Sequence, residues 1–511
     1  MFFLLQPGYK YIHNMKYGIY RKGVLIDKGL FHKFGRGKFV AMHVGYQGLT
    51  TTIQGYDHDK KSGCIFLAHS KAIELLKKHK IPLPTNYIVY KGEEVVIPQN
   101  IPFSLRTHQD KIIRYLLITV FNQKNIDSGQ ASCMMELKPG FGKTYVALGL
   151  FLYFKVKAIF IVPAHLILQW KGEIEKWIPG LTIGLFMSGR KTDGDIILGS
   201  VQSLISSKKN STAKTMYRGN VKVTMSNLEW WSQFGFTVID EIHTYCTKLK
   251  SKIFRYCRSS RTLTMSGTCN HRLDKMNKIS HMYFGKPINM FKVFPNLAEM
   301  VKMDVKVNAY QILYNGPDKF TEILSSVAGV SHPLMINQFT LDPWRNQLII
   351  NETLKCHFAG HATFIFLDRL ELIDWFIPKI KELLKDSPTI TDLDKQILSV
   401  QGKSSSEEKT NAKNHGLICF VTYGCGSTGM SFDRYTAMVV GHPRRNGWLQ
   451  TNNRIFRLDG PRDKDRVIKF ICDNKTTTGS QFSGFKKDLL TDYPHAEIIK
   501  EGVNWEEIEL V

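Results

Sequence analysis

The stretch LKPGFGKT, Leu137 to Thr144, decides the fold. The apolar run ASCMMEL before it reads as a buried strand, and KTYVALGLFLYF after it reads as a helix. A glycine-rich turn between a strand and a helix start is a cradle for phosphate. Gly140 and Gly142 let the backbone turn tightly, with Pro139 and Phe141 completing the loop, so that N–H groups face the anion. Lys143 is placed to meet the β- and γ-phosphates, and Thr144 to offer a hydroxyl to Mg2+. The strict pattern G-x-x-x-x-G-K-[ST] has glycine where this chain has Leu137, and G-x-G-K-T also occurs as an ordinary strand-to-helix loop.

Outward from this loop the pattern strand, loop, helix repeats. KAIFIVP, DIILGS, FTVID and TLTMSG are short apolar strands, each ending in a polar or glycine-containing loop. A second alternating block starts near Asp342, which reads as the N-cap of a helix with Pro343 at its first position. TFIFL, GLICFVT, AMVVGH and RVIKFICD follow as strands. The fold class predicted is α/β: two tandem domains, each a parallel sheet with helices on both faces, plus a small N-terminal accessory domain. The expected boundaries are 1–100 for the accessory domain, 101–290 and 341–480 for the α/β domains, 291–340 for a connector and 481–511 for a tail. KSSSEEKTNAKNHG, Lys403 to Gly416, reads as a loop or frayed helix. Ligands in such sheets bind at the carboxyl ends of the strands. One of those ends, after FTVID, carries DEIH, Asp240 to His243. Two adjacent carboxylates there suit a metal–nucleotide site, with Asp240 on Mg2+ and Glu241 orienting and deprotonating the attacking water. Alone, such a pair is most often surface charge; a phosphate loop upstream on the same sheet is what gives it meaning.

The chain has 511 residues, enough for about three domains. Its apolar content of 43% supports sizeable cores, and its formal net charge of +25 points to a polyanionic partner. Nine cysteines with no C-x-x-C pair argue against a disulfide framework or zinc module and for a reducing compartment. The start, MFFLLQP, has too short an apolar run for a signal peptide, and no segment is long enough to span a membrane. A soluble intracellular protein is expected.

With these motifs in place the chain resembles the superfamily 2 helicases and translocases of the DExH type, with RecA-like domains, from about residue 103 to 473. LRTHQ, Leu105 to Gln109, resembles the adenine-reading motif, which implies Gln109 on the adenine edge with Arg106 in support. VPAHLILQW, Val162 to Trp170, and GSVQSL, Gly199 to Leu204, resemble motifs Ia and Ib; Pro163, Gln169 and Ser200 are the implied backbone contacts. SGT, Ser266, Gly267 and Thr268, resembles motif III, which couples hydrolysis to strand movement. TYGCGSTGMSF, Thr422 to Phe432, resembles motif V, with Thr422 and Thr428 on the strand. QTNNRIFR, Gln450 to Arg457, resembles motif VI, and its Arg454 and Arg457 are implied to reach the γ-phosphate across the cleft between the two domains, Arg457 as the arginine finger. This chain departs from the family at Asn453 (usually Gly), Ser431 (usually Asp) and Cys269 (usually Pro).

HPRRN (His442 to Asn446), RNQLIIN (Arg345 to Asn351) and the motif V serine resemble helicases of large nucleocytoplasmic DNA viruses, of the poxviral transcript-release and African swine fever virus types. STGMS also resembles UvsW-type phage recombination helicases. These resemblances imply ATP and Mg2+ as cofactors, a nucleic-acid partner that is DNA rather than RNA, 3′-to-5′ movement, and viral transcription or replication proteins as further partners. The implied places are the host cytoplasm, viral factory or virion.

Other residues carry two readings. His243 is expected to bridge the nucleotide site to Gln450 rather than bind metal. Trp230 and Trp231 are expected beneath the sheet rather than stacked on bases. Cys425 reads as a small buried residue, since no activating base stands near it. SSKKNSTAK, Ser206 to Lys214, reads equally as a backbone contact or a solvated loop. A nucleic-acid-binding scaffold with little turnover stays open beside the active motor, kept alive by Asn453 and Ser431.

Overall fold

The computed structural model of the chain describes every residue except 1–2, 6–8, 13–22, 45–49, 59–62, 84–89, 139, 206–212, 270–273, 298–304, 322–324, 327–328, 403, 424–431, 445–447, 453, 457–459, 475–478 and 511. The chain divides into two compact units, residues 1–300 and 301–511.

The first unit is built on an eight-stranded sheet. In spatial order its strands are Arg190–Lys191, Ile183–Met187, Ile196–Gly199, Ala158–Ile161, Phe236–Ile239, Arg261–Ser266, Ser132–Glu136 and Pro287–Asn289. All pairings are parallel except that of the short edge strand Arg190–Lys191. Parallel strands need crossover helices, and helices on both faces bury both faces of the sheet. That explains why AIFI and IILG read as unbroken apolar runs and why FTVI is buried at every position, its Thr237 hydroxyl being paired with Ser259 Oγ at 2.6 Å. Helix Lys143–Phe154 leaves the phosphate loop and runs apolar for most of its length, with Val146 to Phe151 buried.

An antiparallel hairpin, Ala213–Arg218 with Val221–Ser226, packs beside this sheet, and sequence reading did not assign it. Lys214 belongs to its inner face: the ammonium is buried and donates to the Leu204 carbonyl at 2.6 Å. At this residue the basic run is structural; residues 206–212 lie outside the described ones. Trp230 and Trp231 are fully buried, meeting each other edge to face at 4.8 Å, as expected.

The N-terminal part carries its own five-stranded sheet, in the order Phe3–Leu5, Tyr9–Ile12, Gly23–Ile26, Ile65–Ala68 and Tyr56–His58. Helices Lys28–Phe34 and His69–Lys78 supply apolar side chains to its core, among them Leu30, Phe34 and Leu76. Arg255 pairs with Asp57 at 3.0 Å, tying this layer to the rest of the first unit.

The second unit holds a seven-stranded, wholly parallel sheet. Its order is Ile397–Val400, Ile418–Thr422, Thr363–Leu367, Ala437–Val440, Arg466–Asp473, Val307–Asn315 and Glu497–Asn504. Three of these strands escaped sequence reading: Ile397–Val400, one in the stretch read as connector and one in the tail. Val307–Asn315 alternates buried and half-buried positions and carries Asn, Tyr and Gln, so it lacks the apolar run that marks the others. Asp342 caps helix Pro343–Phe358, its carboxylate accepting from the Trp344 and Arg345 N–H groups at 3.1 Å. Residues Ser406–Asn414 form a helix, closed by a capping box between Ser405 and Glu408. Each unit is thus mixed α/β with a parallel sheet, as the alternation predicts. Among the described residues no helix is long and apolar enough to cross a membrane.

Candidate active site

Three neighbouring strands of the first unit bring the site together. Ser132–Glu136 leads into the phosphate loop, Arg261–Ser266 lies beside it, and Phe236–Ile239 lies beside that and ends in Asp240 and Glu241. Residues a hundred apart in sequence therefore share one carboxyl edge.

The loop has the backbone a phosphate cradle requires. Gly140 and Gly142 take φ of 87° and 78°, in the left-handed region that glycine enters without cost. A Cβ on Gly142 would also stand 2.1 Å from Gln109 Nε2. The Gln109 side chain thus lies against the loop while its Oε1 accepts the Arg106 N–H at 3.0 Å, and Arg106 itself is exposed. Lys143 and Thr144 open the helix, half-buried; the Lys143 ammonium donates to the Leu137 carbonyl at 3.3 Å. Pro139 lies outside the described residues.

Phe141 is held from two sides. His108 Nε2 lies 3.3 Å from the Phe141 carbonyl, which can only accept, so this nitrogen carries the proton. The Phe141 ring meets Phe291 edge to face at 4.9 Å, and the Lys138 ammonium sits 4.9 Å over that same Phe291 ring. Burial lowers the His108 pKa, outweighing the Phe141 hydrogen bond, so the imidazole is neutral at pH 7. Sequence reading did not single out His108; its place one residue before Gln109 was the available signal. In the active-enzyme reading, His108→Ala is expected to raise the KM for ATP about tenfold, the worth of one buried hydrogen bond. His108→Asn, which keeps a donor, is expected to recover most of that. Steady-state ATPase kinetics on both variants check it.

Asp240 is buried, 7% exposed. Its Oδ2 accepts the Trp170 indole N–H at 3.1 Å, and its Oδ1 accepts the Glu241 N–H at 2.9 Å. Burial and the neighbouring Glu241 charge push its carboxyl up to about 7, against the pull of Lys143 and Trp170. Glu241 takes φ 49° and ψ 48°, a left-handed conformation that costs a non-glycine residue free energy. It turns the side chain back toward the end of the neighbouring strand. There Ser266 Oγ donates to Glu241 Oε2 at 3.4 Å, accepts the Thr268 N–H at 3.0 Å and pairs with His243 Nδ1 at 2.7 Å. His243 Nδ1 is also 3.3 Å from Glu241 Oε2. The acid, the histidine and the serine form one triangle within the first unit. Gly267 is buried beside it. The bridge expected from His243 to Gln450 involves a side chain outside the described ones.

Thr144 and Asp240 offer two hard oxygen ligands, a donor set that suits Mg2+ once phosphate oxygens and water complete the shell. The left-handed glycines and the helix start suit a triphosphate.

Other expected residues are scattered. Pro163 is half-buried and Gln169 exposed, both just beyond strand Ala158–Ile161. Ser200 is 4% exposed and its hydroxyl is used locally, accepting the Ser203 N–H at 3.3 Å, so it offers little to a strand outside. In the second unit Thr422 ends a strand, half-buried, and Arg454 is buried with its N–H on the Thr451 carbonyl at 3.1 Å. Thr428 and Arg457, like Cys425, Ser431 and Asn453, lie outside the described residues.

Residues 102–271 match the family described as type III restriction enzyme, res subunit. An African swine fever virus protein named as an ATP-dependent RNA helicase is 26% identical over 367 residues, 68% of this chain. The match spans 66% of that relative, just under two thirds of its length. The ATP-dependent DNA helicase uvsW of Enterobacteria phage T4 is 25% identical over 53% of this chain and 48% of its own. The crystal structure of T4 UvsW aligns over 96% of this chain and 99% of that one, at 16% identity and a TM-score of 0.33. Residues 102–271 thus match the model of the type III restriction enzyme res-subunit family, and the chain is similar to viral and phage proteins named as ATP-dependent helicases.

Proposed function

We propose that this chain is an ATP-driven motor on nucleic acid, a helicase or translocase that moves 3′ to 5′ along DNA in viral transcription or genome processing. The observation that carries the reading is the meeting of Lys143, Asp240, Glu241 and Ser266 at the carboxyl ends of three adjacent strands.

In this reading the phosphate loop and Lys143 hold the β- and γ-phosphates, and Gln109 meets the adenine edge. Thr144 and Asp240 hold Mg2+, which when bound neutralises charge developing on the phosphates. Glu241 orients the attacking water and takes its proton. Ser266 and His243 touch the same Glu241 oxygen, so a shift of the SGT segment is felt directly at the base. Exposed Gln169, with Pro163 and Thr422, meets the strand backbone, and the net charge of +25 favours any polyanion. Contacts of this kind carry little base information. The names of the relatives divide between RNA and DNA; the motif V serine, read with the viral and phage resemblances, favours DNA.

The test is ATP hydrolysis by the purified chain with no nucleic acid, single-stranded DNA, duplex DNA or RNA. Strong stimulation by DNA is expected. Stimulation by RNA alone would move the substrate to RNA, and no turnover with tight, salt-sensitive binding intact would replace the motor with a scaffold.

A further inference from the structure

Trp170 sits on helix Ile167–Trp177, far from the phosphate loop in sequence, yet it donates its indole N–H to Asp240 Oδ2 at 3.1 Å. Both side chains are buried, at 4% and 7% exposure. The indole is wedged edge to face on Phe160, in the strand next to the one that Asp240 ends, with centroids 5.4 Å apart. A tryptophan placed only to fill the core has no need of an ionisable partner, and a buried carboxylate oxygen without a donor is expensive. Each Asp240 oxygen has one protein donor, Trp170 on Oδ2 and the Glu241 N–H on Oδ1. The carboxylate plane is thereby fixed, and the second lone pair of each oxygen stays available.

The next residue back is Gln169. It is exposed while Trp170 is buried, so one turn of helix presents one side chain to solvent and the next to the acid. Leu168 beside it is 49% exposed. We infer that Trp170 is a positioning residue that transmits strand engagement at the Pro163–Gln169 segment to Asp240, so that a grip on the outer face of the helix reorients the acid. This rests on the proposed reading of that segment as a nucleic-acid contact. Trp170 touches neither strand nor nucleotide; it acts through Asp240. Rigid packing lets the small displacement of one helix turn pass undamped across a single hydrogen bond.

The test compares Trp170→Phe with the unaltered full chain. Phenylalanine keeps most of the apolar contact and removes the donor. The expected result is a fall of at least fivefold in the stimulation of ATP turnover by single-stranded DNA. Unstimulated turnover should fall by less than that factor, and DNA affinity by fluorescence anisotropy should stay within twofold. A second measurement needs neither variant nor metal: hydrogen exchange in the peptide 236–245 of the unaltered chain, without nucleotide or Mg2+. Addition of single-stranded DNA should change its protection. Full stimulation in Trp170→Phe, an equal fall in stimulated and unstimulated rates, or an unchanged 236–245 peptide under saturating DNA would each overturn the inference. Absence of stimulation by either DNA or RNA in the unaltered chain would instead overturn the motor reading beneath it.

Discussion

Glu241→Gln is expected to lower kcat for ATP hydrolysis by about a thousandfold, within the 10²–10⁴ range of a general base, while ATP affinity changes by less than threefold. Glutamine has the same shape and keeps an acceptor toward Ser266 and His243, so the triangle around Oε2 survives. What it loses is the capacity to take a proton from water. The left-handed backbone at Glu241 is set by the Asp240–Glu241 turn and the Thr244 N–H on the Glu241 carbonyl at 2.9 Å, none of which involves the carboxylate. Melting temperature should therefore hold. Steady-state turnover beside equilibrium nucleotide binding checks the split. A variant that keeps a tenth of the activity, or that loses binding in proportion to rate, would remove Glu241 from the role of base.

Lys143→Ala is expected to abolish measurable turnover and weaken ATP binding at least a hundredfold, since the ammonium is the positive side chain at the helix start that follows the loop. It also has a consequence without nucleotide. Lys143 is one of the charges holding the Asp240 carboxyl down against burial and Glu241. A folded-state value of about 7 lies above the unfolded carboxylate value of about 3.9. The native state therefore holds a proton that the unfolded chain has lost, and this group's contribution to stability falls as pH rises between those values. The slope is roughly 1.4 kcal/mol per pH unit in that interval and zero above the folded value. Removing Lys143 raises the folded value further, so the fall should continue above pH 7 in the variant and level off in the parent chain. Metal-free, nucleotide-free thermal melts from pH 5.5 to 8.5 read this directly. Asp240→Asn should flatten both curves.

Much of the architecture was legible because parallel sheets announce themselves. Strands such as AIFI, FTVI and TFIFL are buried on both faces, and nothing but a short apolar run satisfies that. The phosphate loop was legible because left-handed turns select glycine at Gly140 and Gly142. The hairpin Ala213–Arg218 with Val221–Ser226 was not: Ala213–Arg218 mixes Lys, Thr, Tyr and Arg without clean alternation, and the alternation of VKVTMS beside it is short and mostly solvent-exposed. Strand Glu497–Asn504 was hidden for a related reason: at a sheet edge, half-buried positions accept charge. Within the site, Asp240, Glu241 and Lys143 could be named from residue chemistry. The Trp170–Asp240 and His108–Phe141 bonds could not, since each joins residues 70 and 33 positions apart through packing rather than pattern.

The place of Val307–Asn315 bears on how the second unit comes into being. This strand is among the first pieces of that unit to leave the ribosome, yet its neighbours on either side are Arg466–Asp473 and Glu497–Asn504. Its far end joins Asn504 across 189 positions through the Asn315 side-chain amide. During synthesis the early strand has both hydrogen-bonding edges unsatisfied until its late partners appear. Ordering so long a loop before any contact repays it makes closure slow. The nascent second unit therefore has a window, set by translation speed, in which a chaperone or a premature intermolecular pairing competes for that strand; the first unit, whose strands all lie before residue 290, has finished its own sheet by then.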